Sequence, residues 1–449
     1  MSDTTSKVAF VASGPIAAAP PPANSTGPIG WLKENLFSGP VNSVVTVVLL
    51  ALLLYLVPGI IQWAFIDAVW IATSLSECRE LGRGACWAVI VERFDQFIYG
   101  FYPAEERWRP DLAFLLMIVA FVFALFDKLP YMSEAAYHRI RPYGLLYAAC
   151  YPVIAYWLIW GGSIWGPLLF LATPVVGYFV SQAVDKLEHA TLPPALASLP
   201  LGPITGLVAA IVWIMFLIGP ISGLLGFIPI GLEEVESRLL GGFLLATIIG
   251  VAGITLSLPI GILLALGRRS GLIFIQTICI GFIEFIRGVP LITLLFVANS
   301  VLAYLFPPGS NLDIILRVVI MVTAFASAYM AEVIRGGLAA LPSGQYEAAD
   351  AMGLNYWQAT RLIIMPQALK ISIPNIVSTF IGLFKDTTLV VVIGLLDPIG
   401  LITNIQATPE WNGIIWEFYI FTGLFFFIAC FAMSRYSLYL ERKLATDRR

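Results

Sequence analysis

The sequence predicts an all-α protein that crosses a membrane with about ten transmembrane helices. Hydrophobic residues make up 59% of the 449 residues and charged residues only 12%, whereas soluble domains carry roughly 25% charged residues. The mean hydropathy is +0.88, and apolar runs long enough to span a bilayer recur along the chain. The protein is therefore expected to lie in membrane lipid. The net charge of −3 by itself indicates no nucleic-acid partner.

The N-terminal region combines a tail with about five predicted spans. Residues 1–40 are rich in Ala, Pro, Ser and Thr, which predicts a flexible cytoplasmic tail rather than a signal peptide, because no continuous apolar core with a cleavage site follows the start. A polar segment, 67–111, is expected to form short helices at the extracytoplasmic interface. A tight turn at Gly161-Gly162 is expected between two of the spans. The predicted spans cover residues 41–66, 112–127, 144–162, 166–184 and 203–226.

A second region begins at an acidic stretch, 231–236, where we place a domain boundary after the N-terminal region 41–230. It runs to residue 440 and is followed by a basic tail, 441–449. The second of its spans is expected to break near Gly288 and Pro290. Counting Lys and Arg in the short loops places both chain termini in the cytoplasm. The five predicted spans cover residues 239–266, 272–306, 312–337, 371–395 and 413–437.

Residues 343–366 form a polar loop between two apolar runs and predict two short helices. Ser343 can cap the first helix, and Gly353 can supply the left-handed turn that ends it. Asn355 can cap the second helix, with Gln358 as its reciprocal partner. Pro366 is expected to stop that helix, because a proline cannot donate to the preceding turn. Two short helices joined at a glycine would make a shaped plug for a soluble partner.

The amino-acid sequence of this loop resembles a motif of a known protein family. Glu347-Ala348-Ala349, with Gly353 four residues later and Ile364-x-Pro366 beyond it, resembles the EAA loop of bacterial ABC importer permeases. In that family the loop is the coupling helix that docks on the ATP-binding subunit. The resemblance therefore implies an ATPase-coupling role for a set of five residues: Glu347, Ala348, Ala349, Gly353 and Pro366.

Further stretches resemble the amino-acid subgroup of the same family. In the C-terminal half they are residues 286–291, 331–337 and 384–389. In the N-terminal half, residues 77–79, 84–87, 102–103 and 107–109 resemble the larger permease of general L-amino-acid importers, the AapM/BztC type. The resemblance implies a five-helix, MetI-like permease core in residues 231–440, a bacterial inner-membrane location, and import of L-amino acids over a broad range.

The resemblance also implies several partners. The sequence has no G-x-x-x-x-G-K-[ST] loop to hold nucleotide phosphates, so we expect no enzyme activity and no cofactor in this chain. ATP and Mg would be bound by a separate ATP-binding subunit, present in two copies. One chain presents one coupling helix, so a second permease subunit is needed, and analogy with the family favours a different chain. The substrate would arrive on a periplasmic amino-acid-binding protein.

Four charged residues fall deep within predicted spans: Glu284, Arg287, Lys385 and Asp386. An isolated charge at mid-bilayer costs about 2.5–3.5 kcal/mol, so each needs a reason. Glu284 and Arg287 share a helix face at i, i+3, and a structural ion pair is one interpretation.

The other interpretation is a substrate path. A zwitterionic amino acid needs a cation for its carboxylate, for which Arg287 or Lys385 could serve. It also needs an anion for its ammonium group, for which Glu284 or Asp386 could serve. Hydroxyl contacts would come from the neighbouring Thr387 and Thr388.

The cysteines divide by location. Cys78 and Cys86 lie eight residues apart in a segment assigned to the oxidising side of the membrane, which predicts a disulfide; two free thiols at the interface are the alternative. Cys150, Cys279 and Cys430 lie within spans and are expected to be packing residues. The five cysteines show no metal-type clustering, so no metal site is predicted.

Two other functions are alternatives on the sequence alone. An ion-coupled secondary amino-acid transporter would also place charges at mid-membrane, but such carriers often have two similar halves, and here Lys and Asp occur mid-span only in the second half. A membrane-embedded enzyme would need a nucleophile–base or metal constellation, for which the sequence offers no candidate His or Cys–His set. Co-purification would separate these functions, because only an ABC permease requires an ATPase partner.

Overall fold

The computed structural model describes residues 27–126, 128, 132–191, 201–301 and 313–444. Most of the predicted N-terminal tail and the last five residues of the basic tail lie outside these ranges. Part of the predicted tail, Gly27–Asn35, is helical. Within the described ranges the chain is almost entirely helical, and the predicted all-α, polytopic fold class is confirmed.

The N-terminal region contains eleven α-helices in the described residues. They are α1 Gly27–Asn35, α2 Pro40–Ile61, α3 Leu75–Leu81, α4 Ala88–Glu92, α5 Phe94–Tyr99, α6 Trp108–Leu125, α7 Glu134–Trp160, α8 Trp165–Leu171, α9 Thr173–Thr191, α10 Leu201–Val212 and α11 Ile218–Leu225. Two-residue strands β1 (Gly162–Ser163) and β2 (Gly231–Leu232) pair antiparallel. The short helices α3 to α5 agree with the prediction for residues 67–111, and β1 follows the expected turn after α7.

The C-terminal region contributes the remaining helices. They are α12 Gly242–Arg268, α13 Ile273–Gly288, α14 Leu291–Ser300, α15 Ile314–Ala339, α16 Ser343–Ala351, α17 Tyr356–Ala359, α18 Met365–Asp386, α19 Pro398–Gln406 and α20 Trp416–Leu444. A 3₁₀ segment, Thr387–Ile393, extends α18.

Eight helical segments in the described chain are long and apolar enough to cross a membrane, and the number rises to ten if each of two bent helix pairs is one crossing. The first bent pair is α8 with α9, at 41°, and the second is α13 with α14, at 105°. The second bend confirms the predicted break near Gly288 and Pro290, where Val289 and Pro290 are extended. Residues 272–300 therefore do not form one straight span.

The chain divides into two compact units, one up to Ala88 and one from Val89 onward. The predicted domain boundary at 231–236 falls inside the second unit and stays a prediction. Within that unit α12 packs closely on α15. A Cβ at Gly261 of α12 would lie 2.7 Å from the Cβ of Met330 on α15, so only glycine permits this approach. The pair brings the end of α12 next to the middle of α15, where the candidate site lies.

Candidate functional site

The loop 343–366 has the two-helix form that its sequence predicts. The helices α16 and α17 are joined through Gly353, whose φ of 71° lies in the left-handed region. This confirms the predicted turn, which a residue with a Cβ adopts only at a cost. At the start of α17 the Asn355 side chain accepts from the Gln358 backbone N–H at 2.9 Å, and the Gln358 side chain accepts from the Asn355 N–H at 3.1 Å. The predicted capping box is confirmed.

Two local predictions for the loop were wrong. The N-cap of α16 is Pro342, which has extended backbone and makes no side-chain cap, so Ser343 is the first residue inside the helix. Pro366 does not stop the second helix, because a continuous helical run extends from Tyr356 to Ile393. A π-helical turn at Thr360–Ile364 precedes the proline. Its wider hydrogen-bonding pattern accommodates a residue that lacks an N–H.

The outer surface of the loop is apolar and exposed. Met352 is 77% exposed, Trp357 68% and Tyr356 57%, and the rings of Tyr356 and Trp357 are in contact, with centroids 5.4 Å apart. Glu347 and Ala348 are also exposed. Ala349, by contrast, is 1% exposed, so its methyl group packs into the permease itself. We call the exposed group Glu347, Ala348, Met352, Tyr356 and Trp357 the loop surface.

Three helices meet in a charged cluster that we call the arginine–glutamate network: Arg268, Glu284, Arg287, Glu332 and Arg335. Arg268, the last residue of α12, donates to Glu284 of α13 at 3.0 Å and to Glu332 of α15 at 3.2 Å. Arg335 donates to the same Glu332 through Nε at 2.7 Å. Glu284 and Arg287 therefore pair with other residues of the network and not with each other.

Arg287 differs from the other two arginines of the network. Its one ion-pair contact among the described residues is with Glu332 at 3.8 Å, its Nε is buried, and this Nε donates no hydrogen bond there. Its guanidinium carbon lies 5.5 Å from the ring centroid of Tyr329, in cation–π contact. Arginine carries five donors. Arg287 thus keeps hydrogen-bonding capacity for a further acceptor.

A cleft of about 240 Å³ opens between α15 and α18. Tyr329 of α15 lines the cleft, so the ring that Arg287 contacts forms part of the cleft wall. Asp386, at the end of α18, lines the opposite side. The full lining is Phe325, Ala326, Tyr329, Thr379, Gly382, Leu383 and Asp386. Asp386 thus lines the cleft directly, whereas Arg287 is connected to it only through its contact with the Tyr329 ring.

Asp386 is the one predicted substrate-path residue in this lining, since Glu284 and Arg287 lie in the arginine–glutamate network. Lys385 is exposed and does not line the cleft. Thr387 is fully buried and its hydroxyl donates to the Phe384 carbonyl. The hydroxyl of Thr388 donates to the Lys385 carbonyl. Both threonine protons are therefore used within their own helix.

Two residues of the site escaped the sequence prediction. Tyr329 carried no charge to mark it. Glu332 belongs to the stretch 331–337 that resembles the family, and as a carboxylate inside an apolar run it met the criterion used for Glu284. The hydropathy context of α15 therefore contained the signal for Glu332. Its place at the centre of three arginines depends on helices far apart in sequence.

The structure joins Cys78 and Cys86 through a disulfide, with the two Cα atoms 5.9 Å apart. This separation lies in the usual range for the bond. The bridge joins the middle of α3 to Cys86, whose neighbour Trp87 donates its indole N–H to the Ala64 carbonyl at 2.7 Å. Cys150, Cys279 and Cys430 are free. In the described residues no three His, Cys, Asp or Glu side chains group as metal ligands.

Comparison with known proteins identifies the family. A family model described as the binding-protein-dependent transport system inner membrane component matches residues 257–446. The glutamate/glutamine/aspartate/asparagine transport system permease protein BztC of Rhodobacter capsulatus is 51% identical, over 100% of each chain. The inner membrane amino-acid ABC transporter permease protein YhdY of Escherichia coli is 39% identical, over 95% of each chain.

A solved structure, described as a crystal structure of an amino acid ABC transporter with histidines, is 29% identical and covers 44% of this chain and 90% of its own, with a TM-score of 0.40. The resemblance drawn from the sequence is confirmed by the full-length relatives. Family members are transport subunits and not enzymes, in agreement with the prediction. The chain belongs to the amino-acid ABC transporter permeases, the membrane-spanning subunits of ABC importers.

Proposed function

We propose that this chain carries L-amino acids through the cleft between α15 and α18, with Arg287 binding the substrate carboxylate and Asp386 facing its ammonium group. The observation that carries the proposal is the unused hydrogen-bonding capacity of Arg287. The Nε of Arg287 is buried and without a hydrogen-bond partner, which is costly, and a planar carboxylate matches the paired donors of a guanidinium. The site is therefore best completed by an anion.

The chemistry of the cleft also supports a substrate class. Arg287 and Asp386 would bind the two charged groups that every α-amino acid carries. They would not discriminate between substrate side chains. This suits a broad-range importer. The printed name of the Rhodobacter relative includes acidic amino acids and their amides. We propose the same group as the first substrates to test here.

The loop surface would contact the ATP-binding subunit. Exposed Met, Tyr and Trp side chains are typical of protein interfaces, where buried aromatic residues supply much of the affinity. Glu347 and Ala348 lie on the same loop and would border the contact. Ala349 would support the loop from inside, and Gly353 would fix the angle between its two helices. Pro366, just beyond the π turn, would mark where the loop joins α18.

The remaining assignments follow from this proposal. Two copies of the ATP-binding subunit would bind ATP and Mg, and a second, different permease subunit would supply the other coupling loop. A periplasmic amino-acid-binding protein would deliver the substrate. The loop surface must then face the cytoplasm, which places both chain termini there in a bacterial inner membrane.

The test is uptake by the complete complex in proteoliposomes. Arg287→Gln and Asp386→Asn should each lower kcat/KM for uptake by about 10- to 100-fold, since a hydrogen bond to a charged group contributes about 1.5–3 kcal/mol. Assembly and basal ATP hydrolysis should remain. Arg287→Lys should recover part of the loss. A matched control is Arg435→Gln, which removes an exposed arginine from α20. Failure of both cleft variants to assemble would instead favour a structural role for these charges.

A further inference from the structure

Two consecutive arginines at the end of α12 face different parts of the molecule. Arg268 bonds to Glu284 and Glu332 inside the arginine–glutamate network. Arg269 bonds to Tyr346 of α16, in the loop 343–366. The end of α12 therefore contacts both the arginine–glutamate network and α16, the helix that carries Glu347 and Ala348 of the loop surface.

Arg269 and Tyr346 are in contact through both a hydrogen bond and a cation–π interaction. Arg269 Nη1 donates to the Tyr346 hydroxyl at 3.2 Å, and its guanidinium carbon lies 5.7 Å from the ring centroid. The hydroxyl in turn donates to the Leu338 carbonyl of α15 at 3.4 Å. The ring packs against the buried cluster that contains Leu338 and Leu341. Tyr346 is thus held in place by packing and presents its hydroxyl to Arg269.

A second contact ties α16 to α18. Gln367 donates to the Gln345 side chain at 2.9 Å and to the Ile363 carbonyl at 3.0 Å. Side chains of α16 thus form hydrogen bonds to other elements through Tyr346 and Gln345. A displacement of α16 can therefore act on α12 through Arg269, on α18 through Gln367 and on α15 through Leu338.

We propose that Arg269 and Tyr346 are positioning residues that transmit movement of the loop to the arginine–glutamate network. This inference rests on the proposed contact between the loop surface and the ATPase. When the ATPase displaces α16, Tyr346 moves with it and pulls Arg269, to which it is hydrogen-bonded. The adjacent Arg268 then moves away from Glu332. Glu332 then has a vacant acceptor, and Arg287 is the neighbouring guanidinium, already 3.8 Å away. Closer pairing of Arg287 with Glu332 competes with the substrate carboxylate and promotes its release.

The coupling must act in both directions, because a coupling free energy between two sites is reciprocal. A substrate carboxylate that engages Arg287 leaves Glu332 to Arg268 and Arg335. This holds the end of α12 in the observed arrangement and, through Tyr346, biases the position of α16. Loss of the contact should therefore lower the efficiency of coupling without removing either binding site.

The experiment measures amino acid transported per ATP hydrolysed in the complete complex in proteoliposomes. Tyr346→Phe keeps the ring and its packing and removes only the hydroxyl, so the fold should be retained. Tyr346→Phe and Arg269→Gln should each lower the ratio by about 5-fold or more, the low end of typical coupling effects. The double variant should lose no more than the stronger single variant, because both remove one shared contact. Arg435→Gln serves as the arginine control and should keep the wild-type ratio.

A further variant separates this inference from the proposed function. Trp357→Glu alters the loop surface but leaves the contact of Tyr346 with Arg269 in place. If Trp357→Glu releases the ATPase while Tyr346→Phe keeps the wild-type ratio, the transmission role is overturned and the docking role stands. If Trp357→Glu leaves the ATPase bound, the docking role fails. A double variant with additive losses would also overturn the transmission role.

Discussion

The loop surface and the cleft belong to the same half of the chain, but they leave different kinds of group unsatisfied. The loop closes its own hydrogen bonds, as in the capping box of Asn355 and Gln358, and exposes apolar side chains such as Trp357. The cleft is lined by Asp386 and by Tyr329, whose ring contacts Arg287 with its unpaired Nε. Apolar exposure suits a protein partner, and open polar capacity suits a small charged ligand. The two regions therefore suit different kinds of partner.

The largest expected effect comes from a substitution in the loop surface. Trp357→Glu should weaken binding of the ATP-binding subunit by about 3 kcal/mol, because exposed tryptophans at interfaces are typical affinity hot spots. Co-purification of the ATPase with the permease measures this loss. Asp386→Asn is the cross-control, since a cleft variant should retain the ATPase. Equal loss of the ATPase in both variants would contradict the division between the two regions.

A smaller effect is expected at the turn of the loop. Gly353→Val places a β-branched residue at a φ of 71°, at a cost of about 2 kcal/mol, and should change the angle between α16 and α17. ATP hydrolysis should then be uncoupled from uptake while the complex still inserts. Glu347→Lys, at the exposed edge of the loop surface, should act in the same direction. Normal uptake by both variants would remove the coupling assignment.

Within the arginine–glutamate network, Arg268 and Arg287 are expected to differ in how much they stabilise the fold. Arg268→Gln removes two bonded contacts with Glu284 and Glu332 and should lower the free energy of unfolding by about 1.5 kcal/mol. Arg287→Gln removes one long contact and should lower it by less. Thermal unfolding of the purified complex measures both. A larger loss of stability for Arg287→Gln would mean that Arg287 is the structural residue of the pair.

The smallest expected effect concerns Asp397, a buried carboxylate outside the predicted spans. Burial raises the pKa of Asp397 to about 6, although the N–H groups of Gly400 and Ile399 act in the opposite direction. Between about pH 4 and 6 the folded state therefore binds more protons at this residue than the unfolded state. Its contribution to the free energy of unfolding falls as pH rises through that window and is constant above it.

Asp397→Asn keeps an acceptor at the N-cap of α19 and does not titrate. We expect it to remove this component of the pH dependence, seen as a change of a few degrees in Tm between pH 4 and pH 7. Uptake at pH 7 should be nearly unchanged, in contrast to Asp386→Asn. An identical pH dependence of Tm in the variant and the wild type would contradict the assignment.

Features set by neighbours in sequence could be predicted well. The turn at Gly353, the capping box at Asn355 and the break at Gly288 and Pro290 each depend on a few adjacent residues. Pro366 shows the limit of this reasoning, because a π turn upstream allowed the helix to continue. The family resemblance depended on such short stretches and was confirmed over the full length.

Features set by packing between helices could not be predicted in the same way. The charges at Glu284 and Arg287 were found from their hydropathy context, but their partners are on α12 and α15. Periodicity gives the spacing along one helix and carries no information on which helix lies beside it. Thr387 shows the same limit, since its neighbour in sequence Asp386 lines the cleft while Thr387 is fully buried.

The central claim is that Arg287 binds the carboxylate of the transported amino acid. The most direct measurement is equilibrium binding of labelled glutamine and of its α-methyl ester to the purified complex without the binding protein. We predict that the wild-type complex binds glutamine more tightly than the ester by about 10-fold or more, as expected for a hydrogen bond to a charged group. The Arg287→Gln complex should bind the two equally weakly. Equal binding of glutamine and its ester by the wild-type complex would contradict the account.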